Sequence, residues 1–146
     1  MVDSGRIWIS DFTSDHQFLA YSTLSPTHHI HIFQYDGSNY TLHQSIDMGT
    51  HDNYDIDFFD NDQYLSIASY FGQTVQIYRY NSGSGFWEIT TIASSLTFTS
   101  DIRAARNFGN FFVISTYTTG GTYLYEIAGE TLTFAQLFPY PGGGNQ

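Results

Sequence analysis

Three stretches decide the fold: HQFLAYST (His16–Thr23), DQYLSIAS (Asp62–Ser69) and GNFFVIST (Gly109–Thr116). They are three versions of one motif. Gln17 and Gln63 stand 46 residues apart, and Gln63 and Asn110 stand 47 apart. Each motif is followed by a second strand-like run, HIHIFQY (29–35), TVQIYRY (74–80) and TYLYEI (122–127), with Ile32, Ile77 and Leu124 at matching places. A turn follows each: DGSN at 36–39, NSGSG at 81–85 and AGE at 128–130. A last run closes each copy: YTLHQSI, FWEITTI and TLTFAQLF. Upstream lie three opening runs, RIWISDF, YDIDFF and DIRAAR, in which Asp11 matches Asp57 and Phe12 matches Phe58.

Each copy therefore reads as four short strands joined by turn-rich hairpins. Side chains alternate along the runs, β-branched and aromatic residues are enriched, and Gly, Asn and Asp punctuate them. No long run has the 3.6-residue period of a helix. Only LTFTSDIRAARNF (96–108) invites a helical reading, and its place in the repeat makes it an opening strand.

A four-stranded unit of this length, repeated in tandem, resembles the blade of a β-propeller. The resemblance covers about residues 5–140, with blades at about 5–50, 51–95 and 96–140 and a tail at 141–146. It implies an all-β fold of antiparallel blades. The WD dipeptide and GH signature of WD40 repeats are missing, and so are in-register kelch double glycines, so no subfamily follows. A β-sandwich or a plain β-solenoid is the competing arrangement.

Propellers close with roughly four to eight blades. Three blades leave two apolar faces in water, each larger than the patch a soluble monomer ordinarily tolerates. In the second copy Val75 and Ile77 point to one side, and Tyr78 and Tyr80 to the other. The expectation is that another chain completes the ring. Two copies would give six blades in a two-fold homodimer. A longer polypeptide, a different half-propeller or a larger assembly would serve the same need. The opening run comes first and the closing run last, so no strand is left over to swap across the seam. The tail PYPGGGNQ suits a flexible exit or a docking strap.

Composition narrows the function. Fourteen acids face four bases, all arginine (Arg6, Arg79, Arg103 and Arg106), for a net charge of −10. That argues against nucleic acid, because little is present to displace counterions from phosphates. It argues equally against a polybasic membrane contact. No stretch approaches the roughly 20 apolar residues of a membrane span. The N-terminus lacks the pattern of a secretory signal peptide. That suits an intracellular chain, a processed one, or one from an agent released by lysis. Cysteine and lysine are absent, which removes disulfides, thiolate ligands, Schiff-base chemistry and the P-loop lysine.

Several side chains are candidates for a site. Asp55, Asp57, Asp60 and Asp62 form the densest acidic run, and oxygen-rich loops attract Ca²⁺. The EF-hand spacing is absent, and turn formation explains the same residues. His29 and His31 share a strand face suited to Zn²⁺ or Cu²⁺. The matching Thr74 and Gln76 mark that slot as merely polar. Trp87, Tyr40 and Tyr70 lie near loop ends, where rings stack on sugars, so a glycan is a candidate ligand. Aromatics in such a repeat also build the blade-to-blade core. Asn39-Tyr-Thr41 is an N-glycosylation tripeptide at a hairpin tip. No nucleophile elbow is present, and Glu88, Glu126 and Glu130 sit near hairpins. The reading is a non-enzymatic structural or protein-interaction module with no required cofactor. Its alternative is a carbohydrate-binding propeller.

Overall fold

The computed structural model describes residues 7–23, 28–50, 52–70, 72–94, 96, 98–117 and 120–139. The tail at 141–146 and His51 lie outside them. Twelve strands form three four-stranded antiparallel sheets, each in chain order. Sheet 1 holds β1 (Ile7–Phe12), β2 (Phe18–Thr23), β3 (His29–Tyr35) and β4 (Tyr40–Asp47). Sheet 2 holds β5 (Asn53–Phe59), β6 (Tyr64–Ser69), β7 (Thr74–Asn81) and β8 (Phe86–Ile89). Sheet 3 holds β9 (Ile102–Phe108), β10 (Phe111–Thr116), β11 (Gly121–Ala128) and β12 (Thr131–Pro139). Among the described residues no helix is long and apolar enough to cross a membrane.

Local chemistry sets the hairpins. In the β3–β4 turn the Asp36 carboxylate accepts the N–H groups of Ser38 and Asn39, each at 2.8 Å. Asn81 repeats the device in the β7–β8 turn, accepting from Gly83 and Ser84. These are Asx turns, in which a short side chain supplies the acceptor that the bent backbone lacks. Asp60, Asn61 and Asp62 all take left-handed backbone angles between β5 and β6, a region Asn and Asp tolerate. Gly121 is required sterically: a Cβ there would lie 2.1 Å from the Phe138 carbonyl oxygen across the β11–β12 pair.

The first strands β1, β5 and β9 lie side by side, β5 between the other two. The sheets therefore stack face to face around a common edge, and the core lies in the seams between them. In the first seam Phe18, Ile30 and Ile32 of sheet 1 meet Phe58, Leu65 and Trp87 of sheet 2. In the second, Tyr64, Val75 and Ile77 of sheet 2 meet Phe112, Ile114 and Tyr125 of sheet 3. Val75 and Ile77 thus face one neighbour while Tyr78 faces the other.

β8 is shorter than the run FWEITTI leads one to expect. It stops at Ile89, where Thr90 donates both its N–H and its hydroxyl to the Ile77 carbonyl. The chain then turns inward, and Ile92 and Ala93 become buried in the second seam. Side-chain burial there outweighs two more residues of edge-strand pairing.

Trp87 is 2% exposed, its indole packed on Phe18, Phe58 and Tyr80. Its backbone is gripped by the Gln44 side chain, which accepts from Trp87 N–H and donates to Trp87 C=O, both at 2.9 Å. Replacing Trp87 with alanine should cost about 3–5 kcal/mol through the cavity left in the first seam. Urea unfolding followed by circular dichroism will measure it.

Candidate functional site

Burial along the second strand of each sheet shows where the molecule is open. Every residue of β6 is buried, because sheet 2 is covered on both faces. In β10, and in β2 from Phe18 to Ser22, buried and less buried residues alternate, so over these stretches sheets 1 and 3 are each covered on one face only. The register defines the other faces. On sheet 1 the row Phe12–Leu19–Phe33–Leu42 runs across all four strands and belongs to neither of the core clusters that join the sheets. Phe12 is 46% and Leu42 50% exposed. On sheet 3 the row Arg106–Val113–Leu124–Gln136 likewise runs across all four strands, and its last three members belong to neither core cluster; it is flanked by Phe111 and by Phe108 at 65% exposure.

Polar contacts along the first strands tie the sheets together. Asp11 accepts the N–H of Phe58 at 2.8 Å, and Asp57 accepts the N–H of Asn107 at 2.8 Å. Each is a carboxylate on one sheet reaching the backbone of the next. Arg106 occupies the corresponding place on β9: it pairs with Val113 as Asp11 does with Ala20 and Asp57 with Ser66. It turns back instead, donating to Asp55 at 2.9 and 2.5 Å and to Asp57 at 3.3 Å. Asp55 also accepts the N–H of Ala105. In the repeat Arg106 stands where the second copy has Asp57. Nothing in the sequence says that Arg106 answers the two acids of β5.

The four candidate calcium ligands do not share a site. Asp55 and Asp57 face sheet 3 and are taken by Arg106 and backbone N–H groups. Asp62 faces the other way and accepts the N–H and hydroxyl of Ser14 on sheet 1. Asp60 stays in the turn. Among the described residues no group of three or more His, Asp or Glu side chains converges on a common point. His29 and His31 stack 5.6 Å apart on the same side of sheet 1 as Phe33, His31 itself buried at 6% exposure, with its Nδ1 2.8 Å from the Ser45 hydroxyl.

The three candidate sugar-stacking residues also separate. Trp87 is core. Tyr40 packs on Phe12 and Tyr35 and donates its hydroxyl to the His16 carbonyl at the β1–β2 turn. Tyr70 lies at the opposite end of the strands, after β6. There Arg103 lies over the Tyr117 ring at 3.8 Å and near the Tyr70 ring at 5.2 Å, a cation–π clamp. Asn39 is exposed at its hairpin tip. Glu130 pairs with Arg79 at 2.7 Å in water, and Glu88 accepts from Asn81 and Ser84.

No family model matches the chain, and no curated protein matches it. Solved structures do. A protein from Lactobacillus plantarum superimposes with a TM-score of 0.67 at 19% identity, over 92% of this chain and 42% of its own. The β-propeller domain of Cps50 (Swd1) from Myceliophthora thermophila gives 0.67 at 13% identity, over 94% and 41%. This chain is three blades of a β-propeller. The periplasmic gluconolactonase of Pseudomonas aeruginosa gives 0.68 at 10% identity, over 92% and 40%. The chain thus spans about two-fifths of the length of these proteins. Identities this low speak for the fold alone. Sheets 1, 2 and 3 are blades 1, 2 and 3 hereafter.

Arg106→Ala should destabilise the chain by about 3 kcal/mol. That is the low end for removing one partner of a buried pair, because Arg106 is itself 38% exposed. Urea titration of the variant will test it. A second expectation concerns pH. Burial pushes the Asp55 and Asp57 carboxyls above the ordinary value of 3.8, against the pull of Arg106 and the backbone donors. An acid raised in the folded state holds its proton more tightly folded than unfolded. Its contribution to stability therefore falls as pH rises from 3.8 through the folded value, and grows as pH falls through that window. Whatever the offset at pH 7, the stability of the wild type relative to Asp55→Asn should increase on acidification toward pH 4. Paired urea titrations across that range will show it.

Proposed function

We propose that this chain is a non-enzymatic interaction module that joins another chain through its two uncovered blade faces to complete a propeller ring. The observation that carries the reading is the contrast between β6, buried at every position, and the half-covered strands β2 and β10. A four-stranded blade has two apolar faces, and water is a poor partner for either. The acids that general acid–base chemistry would use are instead engaged in holding blades together, Asp11 and Asp57 on backbone N–H groups and Asp55 on Arg106. The neighbouring structures support a partial ring, since each is matched over only 40–42% of its chain. The gluconolactonase likeness, at 10% identity, speaks for the fold alone.

Light scattering across a concentration series tests the reading together with an apolar dye. A complex heavier than the monomer, or a monomer whose faces bind the dye, is the expected result. A stable monomer that binds no dye at any concentration overturns it, because its faces would then be covered from within.

A further inference from the structure

We infer that the occupant of both uncovered faces is a second copy of this chain, docked head to tail so that blade 3 of each copy seats on blade 1 of the other. This rests on the reading of the chain as part of a ring, and deepens it to a partner and a register. The row Asp11–Ala20–Ile32–Gln44 of blade 1 is the side of the first seam that presses on blade 2. It meets the row Phe58–Leu65–Tyr78 there, and those three residues are buried by it. The same two kinds of row stand at the two open ends of the molecule. Arg106–Val113–Leu124–Gln136 repeats the first, with small or branched residues in the middle and a glutamine on the outermost strand. Phe12–Leu19–Phe33–Leu42 repeats the second, an apolar row with an aromatic on each side of a leucine.

A surface made for a foreign partner needs only one half of a seam. This chain carries both halves, at opposite ends and in the row order of its own interior. The two open ends are therefore complementary to each other. Blade 2 keeps them apart within these three blades, and two copies satisfy both at once. Three and three make six blades, inside the range in which propellers close, and the operation is a two-fold rotation.

The outer strand fixes the register further. Gln44 grips the backbone of Trp87, which stands opposite Tyr80. Gln136 stands opposite Leu124 as Gln44 stands opposite Ile32, and it is exposed. The residue of blade 1 that matches Trp87 is Tyr40, opposite Tyr35. The Asp36 N–H to Asn39 C=O bond closes that turn at 3.0 Å. The alternation of an antiparallel pair then turns the Tyr40 N–H and C=O away from β3. Gln136 of one copy is thus placed to hold the Tyr40 backbone of the other. One tie is missing from this seam. Its inner position is Arg106, and an arginine accepts no N–H, so the carboxylate ties of Asp11 and Asp57 have no third counterpart. The seam between copies is therefore the first to open.

The chain has no cysteine, so single variants Val113→Cys and Leu19→Cys can be co-refolded and treated with a short bis-maleimide. The expected result is a native mass twice the monomer and a covalent dimer in the mixture but in neither variant alone. Gln136→Ala should leave the fold intact and weaken the dimer by at least about thirtyfold, the loss of two hydrogen bonds in each of two seams. Urea should give a first transition that depends on protein concentration and a second that does not. A cross-link in either single variant, or a Gln136→Ala dimer as tight as wild type, overturns the register. A monomer at high concentration whose faces bind the dye overturns the second copy as partner and leaves the ring reading standing. A monomer that binds no dye overturns both.

Discussion

A blade of four antiparallel strands has no inside of its own. Its side chains alternate between two faces, and in this chain both faces are apolar, so each blade is stable only when something covers it on either side. Blade 2 meets that condition and shows it in β6, where all six residues are buried. Blades 1 and 3 meet it on one side only. Nearly everything else in the molecule follows from this: the position of the two core clusters, the burial of Trp87, and the open rows at the ends.

The polar groups serve the same stacking. Carboxylates on β1 and β5 reach the backbone of the following blade, where they set the stagger between first strands. Gln44 does so on the outer strand. Desolvating Asp55 and Asp57 is costly, and the guanidinium of Arg106 offsets part of that cost. Side chains that a site hunter would mark as ligands or catalysts are here spent on seams. The clamp of Arg103 on Tyr117 and Tyr70 lies at the opposite end of the strands from the Asp36 and Asn81 turns.

Arg106 also makes the three repeats unequal. It occupies the place of Asp11 and Asp57 but points back toward blade 2. The two seams within the chain carry carboxylate ties, and the open end of blade 3 does not. A repeat protein can in this way be firm within a chain and separable between chains, with one residue setting the difference.

The repeat, the four-strand unit and the deficit of blades were legible in the sequence, because alternation and period survive without any knowledge of neighbours. So was the division of β7 into two faces, with Val75 and Ile77 against Tyr78 and Tyr80. The early end of β8 was not, since it depends on Ile92 and Ala93 finding room in a seam. Nor were the fates of the acids and rings. Asp55, Asp57 and Asp62 are near in sequence, yet the strand and the turn after it send them to opposite neighbours. Trp87 beside a hairpin reads as an exposed ring until the Gln44 grip and the facing Phe18 enclose it. The sequence by itself determined what each strand is, because backbone pattern is local. Only the tertiary structure decided what each side chain meets across a seam, because in stacked blades those partners come from the neighbouring blade, 39 to 51 residues away for the hydrogen bonds of Ser66, Asp11 and Arg106.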